Sequence, residues 1–173
     1  MQSEIEADVL IAGAGPVGLS LAMDLSARGV RVAMVEPRRF AEPPNVKCNH
    51  VSARTMERFR RLGVALKLRD AGLPAAHPND VAFRTSLCGT EITRIPIPGR
   101  AERYTSRDGP DTGWPTPEPP HRINQIYLEP VLLRHTAALP HVTLHNRHQL
   151  QSFEQDADGV TATVLDLDGG GTR

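Results

Sequence analysis

Three closely spaced glycines constrain the amino-terminal part of this chain more than any other feature. They stand in Val9-Leu10-Ile11-Ala12-Gly13-Ala14-Gly15-Pro16-Val17-Gly18, and an acid, Glu36, follows eighteen positions after the last of them. The apolar run Val9 to Ala12 reads as a buried parallel strand. Gly13 permits a tight turn after it. Gly15 leaves the backbone bare, so a phosphate group has room to approach, and Gly18 lets the next helix pack close to the strand. Pro16 suits the first helical turn, where its missing N–H has no partner to lose. The N–H groups of that turn and the helix dipole, around Val17, then face an anion.

The rest of the unit agrees with this reading. Gly18, Leu21, Ala22 and Leu25 fall at helical spacing and predict one apolar face. Arg28-Gly29 ends the helix, with the glycine as a left-handed cap. Val30, Val32, Met34 and Val35 make the second strand, with Glu36 at its carboxyl end. An acid there accepts hydrogen bonds from both hydroxyls of an adenosine ribose. The strand, glycine spacing, helix and acid together form a dinucleotide fingerprint in its full βαβ context. The acid disfavours a ribose carrying a 2′-phosphate, although Arg38 and Arg39 lie close by.

Composition narrows the function classes. The chain has 173 residues, with Lys plus Arg and Asp plus Glu at 20 each. There is no net basic field to draw nucleic acid, and an aromatic content of 4% gives little material for stacking bases. No apolar run is long enough for a membrane span, and no secretory leader is apparent. Cys48 and Cys88 are far apart and form no CxxC pair, so two reduced thiols in a cytoplasmic protein are expected. The chain offers only two good parallel strands, too few for a complete three-layer domain. It therefore reads as the amino-terminal portion of a longer protein.

After Glu36 a proline-rich loop leads to Lys47-Cys48-Asn49-His50-Val51-Ser52. Ser52 caps a helix over 53–62, with Met56 and Phe59 inward and Gly63 as its stop. A short helix spans 65–71. Strands at 80–86 and 91–97 form a hairpin, and 98–121 reads as a long surface loop. A helix covers 125–139. Strands at 142–146, 150–155 and 160–167 form a terminal meander, the last two turning through 156–159.

Several other residues invite a chemical role. His141, His145 and His148 lack a cysteine or an ordered carboxylate partner, so solvated surface histidines are expected and no metal site. Asp166 and Asp168 read as turn residues. Neither a GxSxG elbow nor a GxxxxGK[ST] loop occurs. Arg58, Arg60 and Arg61 read as a solvated helix face. Lys47, before that helix, and Arg54, in its first turn, suit either a surface role or a cation reaching a pyrophosphate. Gln125 heads a helix, either as a polar cap or as a donor to a cofactor.

Taken together, these segments resemble the FAD-dependent aromatic hydroxylases, the single-component monooxygenases typified by p-hydroxybenzoate and phenol hydroxylases. The matching pieces are Gly13-Ala14-Gly15-Pro16-Val17-Gly18, Glu36-Pro37-Arg38-Arg39, the run from Lys47 through Ser52-Ala53-Arg54-Thr55-Met56-Glu57, Arg60-Arg61-Leu62-Gly63, and Asn124-Gln125-Ile126-Tyr127-Leu128-Glu129. The Arg-Thr-Met-Glu and Gln-x-x-Leu-Glu segments are the more specific part, and the phenol- and hydroxyphenylpropionate-hydroxylase-like branch is the nearest. The resemblance implies an α/β, Rossmann-like FAD/NAD(P)-binding fold over 1–173. Its hairpin at 80–97 would contribute to a substrate domain. It implies FAD as cofactor and NAD(P)H as transient co-substrate. The implied reaction is hydroxylation of a small phenolic substrate with O2 through a flavin hydroperoxide; a halogenase, an isoprenoid reductase or a non-catalytic FAD-binding fragment are the alternatives. Glu36 would hold the adenosine ribose, with Pro37 and Arg38 beside it, the glycine loop the pyrophosphate, and Gln125 the ribityl–flavin region. Two departures stand out. Pro37 intervenes where relatives carry Arg directly after the acid, and Lys47 replaces an Arg, exchanging a fork for a point charge. Catalytic residues are expected beyond residue 173, in the remaining carboxy-terminal part of the protein.

Overall fold

The computed structural model describes residues 5–106, 109, 112–113 and 116–169. Along the chain the elements are β1 (Val9–Ala12), α1 (Pro16–Ser26), β2 (Val32–Glu36), β3 (His50–Val51), α2 (Ala53–Arg61), α3 (Ala65–Ala71), β4 (Val81–Arg84), β5 (Glu91–Ile95), β6 (His121–Arg122), α4 (Gln125–Ala137), β7 (Val142–Asn146), β8 (His148–Gln155) and β9 (Val160–Asp166), with a 3-10 turn at Arg100–Glu102. They gather into two compact units, one of Met1–Asn45 with Glu129–Arg173 and one of Val46–Leu128. Helix α4 starts in the second and passes into the first at Glu129. No helix among the described residues is long and apolar enough to cross a membrane.

In the first unit β1, β2 and β7 form a parallel sheet with β2 in the middle. Every residue of β2 is buried, as its near-continuous apolar sequence requires of a central parallel strand. β1 is an edge strand among the described residues, and only Ile11 of its four residues is buried. This departs from the expectation of a strand covered on both faces.

Two further expectations need correction here. Segment 142–146 does not open a meander: β7 lies parallel to β2, in the register Val32↔Val142 to Glu36↔Asn146. A parallel partner needs a long crossover, and α4 directly before β7 supplies it. Only β8 and β9 pair as an antiparallel hairpin, closed by the Asp156 carboxylate accepting from the N–H groups of Asp158 and Gly159. In α1 the inward residues are Leu19, Ala22, Met23 and Ser26, whereas Leu21 is 46% exposed. The helix is therefore rotated from the expected face. Close approach at Gly18 sets that rotation: a Cβ there would stand 2.2 Å from the Gly13 carbonyl oxygen and 3.2 Å from the Ile11 side chain. Gly29 caps the helix end with a left-handed φ of 77°, as expected.

The second unit buries Val51, Met56, Phe59, Val64, Leu68 and Ile123. Ser52 caps α2 by accepting the Thr55 N–H at 3.3 Å, and α2 and α3 pack on each other. β3 and β6 pair antiparallel over two residues each, joining His50 to Arg122 and Val51 to His121. β4 and β5 form the expected hairpin, but every residue of both strands is exposed. The loop at 98–121 is less of a surface loop than its composition suggests. Gly99, Pro119, Pro120 and His121 are buried, and the Arg69 guanidinium donates to the carbonyls of Pro119 at 2.6 Å and Pro120 at 3.0 Å. Residues 107, 108, 110, 111, 114 and 115 of that loop, and the terminal 170–173, lie outside the described residues.

Candidate functional site

In the turn between β1 and α1, Gly13 and Gly15 have different backbone shapes. Gly13 has φ 104°, a backbone shape that side chains resist. Gly15 is different: it is the extended N-cap of α1, with φ −77° and ψ 178°, which any residue tolerates. A Cβ at Gly15 would meet nothing within 4 Å. The protein's own packing therefore does not require glycine there, and the space above it is open. Pro16 is the first helical residue, and no side chain caps the helix. The N–H groups of its first turn are the unpaired donors that an anion at a helix start uses.

Glu36, at the end of β2, is only 6% exposed. Its Oε2 accepts the Ala14 N–H at 2.7 Å, which ties the acid directly to the glycine turn. Its Oε1 accepts from the Arg38 backbone N–H at 3.0 Å and from Arg38 Nε at 2.9 Å. Burial pushes the Glu36 carboxyl up, yet the hydrogen bonds from Arg38 and Ala14 outweigh it and hold the acid below its ordinary value. Arg38 Nη2 also reaches Oε2, at the longer distance of 3.4 Å, so the acid is an ionised carboxylate with donors on both oxygens. Arg38 also donates through Nη2 to Glu129 Oε1 at 2.6 Å. Glu36 and then Glu129 hold its guanidinium charged, well above its usual range despite partial burial. The Arg38 backbone is fixed as well: its carbonyl accepts from Asn146 Nδ2 at 3.0 Å, and Arg147 Nη1 donates to the Pro37 carbonyl at 3.2 Å. A shallow cleft, open to solvent, has Ala14, Glu36, Arg38, Arg39 and Glu129 among its walls.

Gly13, Gly15, Pro16, Val17, Gly18, Glu36, Pro37 and Arg38 therefore gather in the first unit around one turn and one strand end. Lys47 and Gln125 belong to the second unit. There they are brought together across a long stretch of chain, because the Gln125 N–H donates to the carbonyl of Cys48, next to Lys47, at 3.2 Å. The β3–β6 pairing beside them fixes this junction. Lys47 and Arg54 are both exposed.

Sequence reasoning missed Glu129, Asn146 and Arg147. Glu129 is an acid 5% exposed on a helix whose other buried residues are Leu128, Leu132, Leu133 and Thr136. A charge at an inward helical position was the signal, since such a group must find a cation. Asn146 and Arg147 follow from the parallel placement of β7, which the sequence reading did not foresee. His145 and His148 also differ from the expected solvated histidines: both are half-buried, with ring centroids 5.5 Å apart and inaccessible Nε2 atoms. Among the described residues, no group of three or more His, Cys, Asp or Glu is placed to hold a metal. Asp166 does serve its turn, accepting from the N–H groups of Asp168 and Gly169.

A bare glycine at a helix start, beside a buried carboxylate at the end of the second strand, is the donor and acceptor set that a dinucleotide uses. Residues 6–173 match the FAD-binding domain family, and the chain belongs to it. It is 31% identical over 166 residues to a 2,4-dichlorophenol 6-monooxygenase of Delftia acidovorans, covering 94% of this chain and 27% of that protein. A phenol 2-monooxygenase of Pseudomonas sp. (strain EST1001) is 32% identical over 163 residues, covering 93% of this chain and 26% of that protein. Among solved structures, the rebeccamycin biosynthetic enzyme RebC soaked with K252c superimposes with a TM-score of 0.83 at 40% identity, over 100% of this chain and 31% of that one. The flavin-dependent monooxygenase PieE, in complex with FAD and substrate, gives 0.81 at 28% identity, over 99% of this chain and 29% of that one. The chain thus spans little more than a quarter of the length of the curated relatives it matches. FAD, rather than NAD, is the dinucleotide that defines this family.

Proposed function

We propose that the whole protein is an FAD-dependent monooxygenase that hydroxylates a small phenolic substrate, using NAD(P)H and O2. The observation that carries this reading is the open space over Gly15 beside the buried Glu36 carboxylate, in a chain belonging to an FAD-binding family. The phenol and dichlorophenol hydroxylases among its relatives favour an aromatic substrate over the halogenase and isoprenoid-reductase alternatives.

In this reading each residue has a defined task. The N–H groups at Gly15, Pro16's turn, Val17 and Gly18 surround the pyrophosphate, with Gly13 shaping the turn. Glu36 accepts from the adenosine ribose, and Pro37 with Arg38 holds that acid in place. Lys47 supplies a positive charge for the pyrophosphate, and Gln125 a side-chain amide toward the ribityl–flavin region. The hairpin of β4 and β5 extends toward a substrate domain formed by further chain. Bound FAD supplies the redox chemistry, and the protein's part is to orient it and keep water away. The unpaired Cys48 and Cys88 fit a reducing, cytoplasmic location.

The experiment is oxygen uptake by the purified whole protein with NAD(P)H and a panel of phenols, combined with product identification. The reading expects a yellow protein that couples NAD(P)H oxidation to a hydroxylated phenol. A colourless protein that retains NAD, or oxidation of NAD(P)H that no phenol stimulates, contradicts it.

A further inference from the structure

Glu129 lies on a different element from the glycine turn and from Glu36, yet its carboxylate reaches their corner through one guanidinium. Arg38 stands between the two acids, with Nε on Glu36 at 2.9 Å and Nη2 on Glu129 at 2.6 Å. Both acids are at least nine-tenths buried, at 6% and 5% exposure, whereas their shared cation keeps 29% of its side chain exposed. The backbone on either side of that cation is held by Asn146 and Arg147. We infer that Glu129 is a positioning residue that makes the adenosine site select a plain ribose: it holds the outer amine of Arg38 and keeps it from serving a 2′-phosphate. This inference rests on the assignment of Glu36 to the adenosine ribose.

The argument is one of charge and fork geometry. A guanidinium facing a single carboxylate forms two parallel hydrogen bonds and occupies both oxygens. Here the second amine lies close to Glu129, at 2.6 Å, and reaches Glu36 Oε2 only through a long bond of 3.4 Å. Glu36 Oε2 is therefore held firmly by Ala14 and only loosely by Arg38, and a ribose hydroxyl can take the place of that long bond. The three side chains together carry one negative charge. That charge attracts hydroxyl donors and repels a phosphate monoester. An arginine beside a ribose site is the usual means of accepting a 2′-phosphate. In this chain the second carboxylate cancels that means.

Glu129→Gln should release the guanidinium. It then either closes on Glu36 as a bidentate pair or turns toward the cleft, and either outcome raises the local charge by one unit. The experiment is competition against FAD rebinding in the whole protein, with ADP and adenosine 2′,5′-bisphosphate as probes. The wild type should take ADP and reject the 2′-phosphorylated probe. Glu129→Gln should shift the ratio of the two affinities toward the 2′-phosphate by about tenfold, the size of one charge several ångströms away at a half-screened surface. Arg38→Met/Glu129→Met, which removes both charges, should restore the wild-type ratio while packing the space with apolar atoms. A loss of stability alone would lower both affinities together, so an unchanged ratio in Glu129→Gln overturns the inference. The same holds for a double variant that remains shifted. If ADP fails to compete with FAD in the wild type, or Glu36→Gln leaves both probes unaffected, the ribose assignment itself has failed, and that result is distinct.

Discussion

The glycine-turn corner around Glu36 and the β4–β5 hairpin are built on opposite terms. Around Glu36 the carboxylates are buried, each has named partners, and the strand beneath them is fully covered. In both strands of the hairpin every residue is exposed, including Phe83 at 49% and Ile92 at 69%, and their ion pairs lie at the surface. Charges in the first region are few and hold one geometry, because a buried charge without its partner is costly. Those in the second are solvated and contribute little. The same residue types, Arg and Glu, thus define a site in one place and decorate a surface in the other. Burial makes the difference.

The strongest test of this contrast is Gly18→Ala. A methyl group 2.2 Å from the Gly13 carbonyl must push the helix off the turn. A loss of about 1–3 kcal/mol in stability is expected from overpacking, together with weakened FAD retention, measured by denaturant titration and flavin release. A melting midpoint within error of the wild type would show that the turn is not tightly packed.

A smaller effect comes from pH. Burial, then the nearby Arg69 and Arg100 charges, lower the His121 imidazole to about 4, even though its Nε2 meets the Leu68 carbonyl at 2.9 Å. The unfolded chain protonates at the ordinary value near 6.5, so it binds the extra proton first. Stability from this residue is complete above that value and is lost as pH falls toward 4, with about 2 kcal/mol gone by pH 5. Melting curves at pH 7 and pH 5 measure this, and His121→Asn, which keeps a donor, should flatten the difference. An equal acid loss in the variant would assign it to other groups.

Glu36→Gln should weaken FAD binding by about 10–100-fold, the cost of losing charge-assisted hydrogen bonds, with a smaller change in folding because Glu129 still holds Arg38. Full-strength FAD binding by this variant would place the ribose elsewhere. At the low end stands Glu91→Gln. The Arg94 and Arg84 guanidiniums hold Glu91 at about 2, yet Glu91 and Arg94 lie on an exposed strand. No measurable change in melting midpoint is expected, and a clear drop would mean that the hairpin is stiffened by its charges.

The two regions also differ in how far the sequence reveals them. The glycine turn was legible because each residue answers a local demand: a positive φ at Gly13, a close approach at Gly18, and an acid at the end of a covered strand. The hairpin was legible as a period-two pattern with a turn. What sequence reading missed depends on long-range placement. β7 joins β2 because α4 carries the chain across, and Asn146 and Arg147 reach Pro37 and Arg38 only for that reason. Local periodicity could not distinguish this strand from the first strand of a meander. The inward face of α1 was misplaced because its hydrophobic spacing fits two rotations, and the contact at Gly18 chooses between them. The role of Glu129 was hidden in a motif quoted for its resemblance alone, although an acid among leucines on one helix is itself a physical signal.

In the proposed reading the bare backbone at Gly15 serves a phosphate rather than the fold. Gly15→Val tests it most directly, through the melting midpoint without FAD and the FAD dissociation constant of the whole protein. Because Gly15 has an ordinary φ of −77° and open space around its missing side chain, the midpoint without FAD should stay near the wild type. FAD retention should be lost, since the isopropyl group fills the approach to the pyrophosphate. A sharply lowered midpoint in protein that still binds FAD at full strength would contradict the account and return Gly15 to a purely structural role.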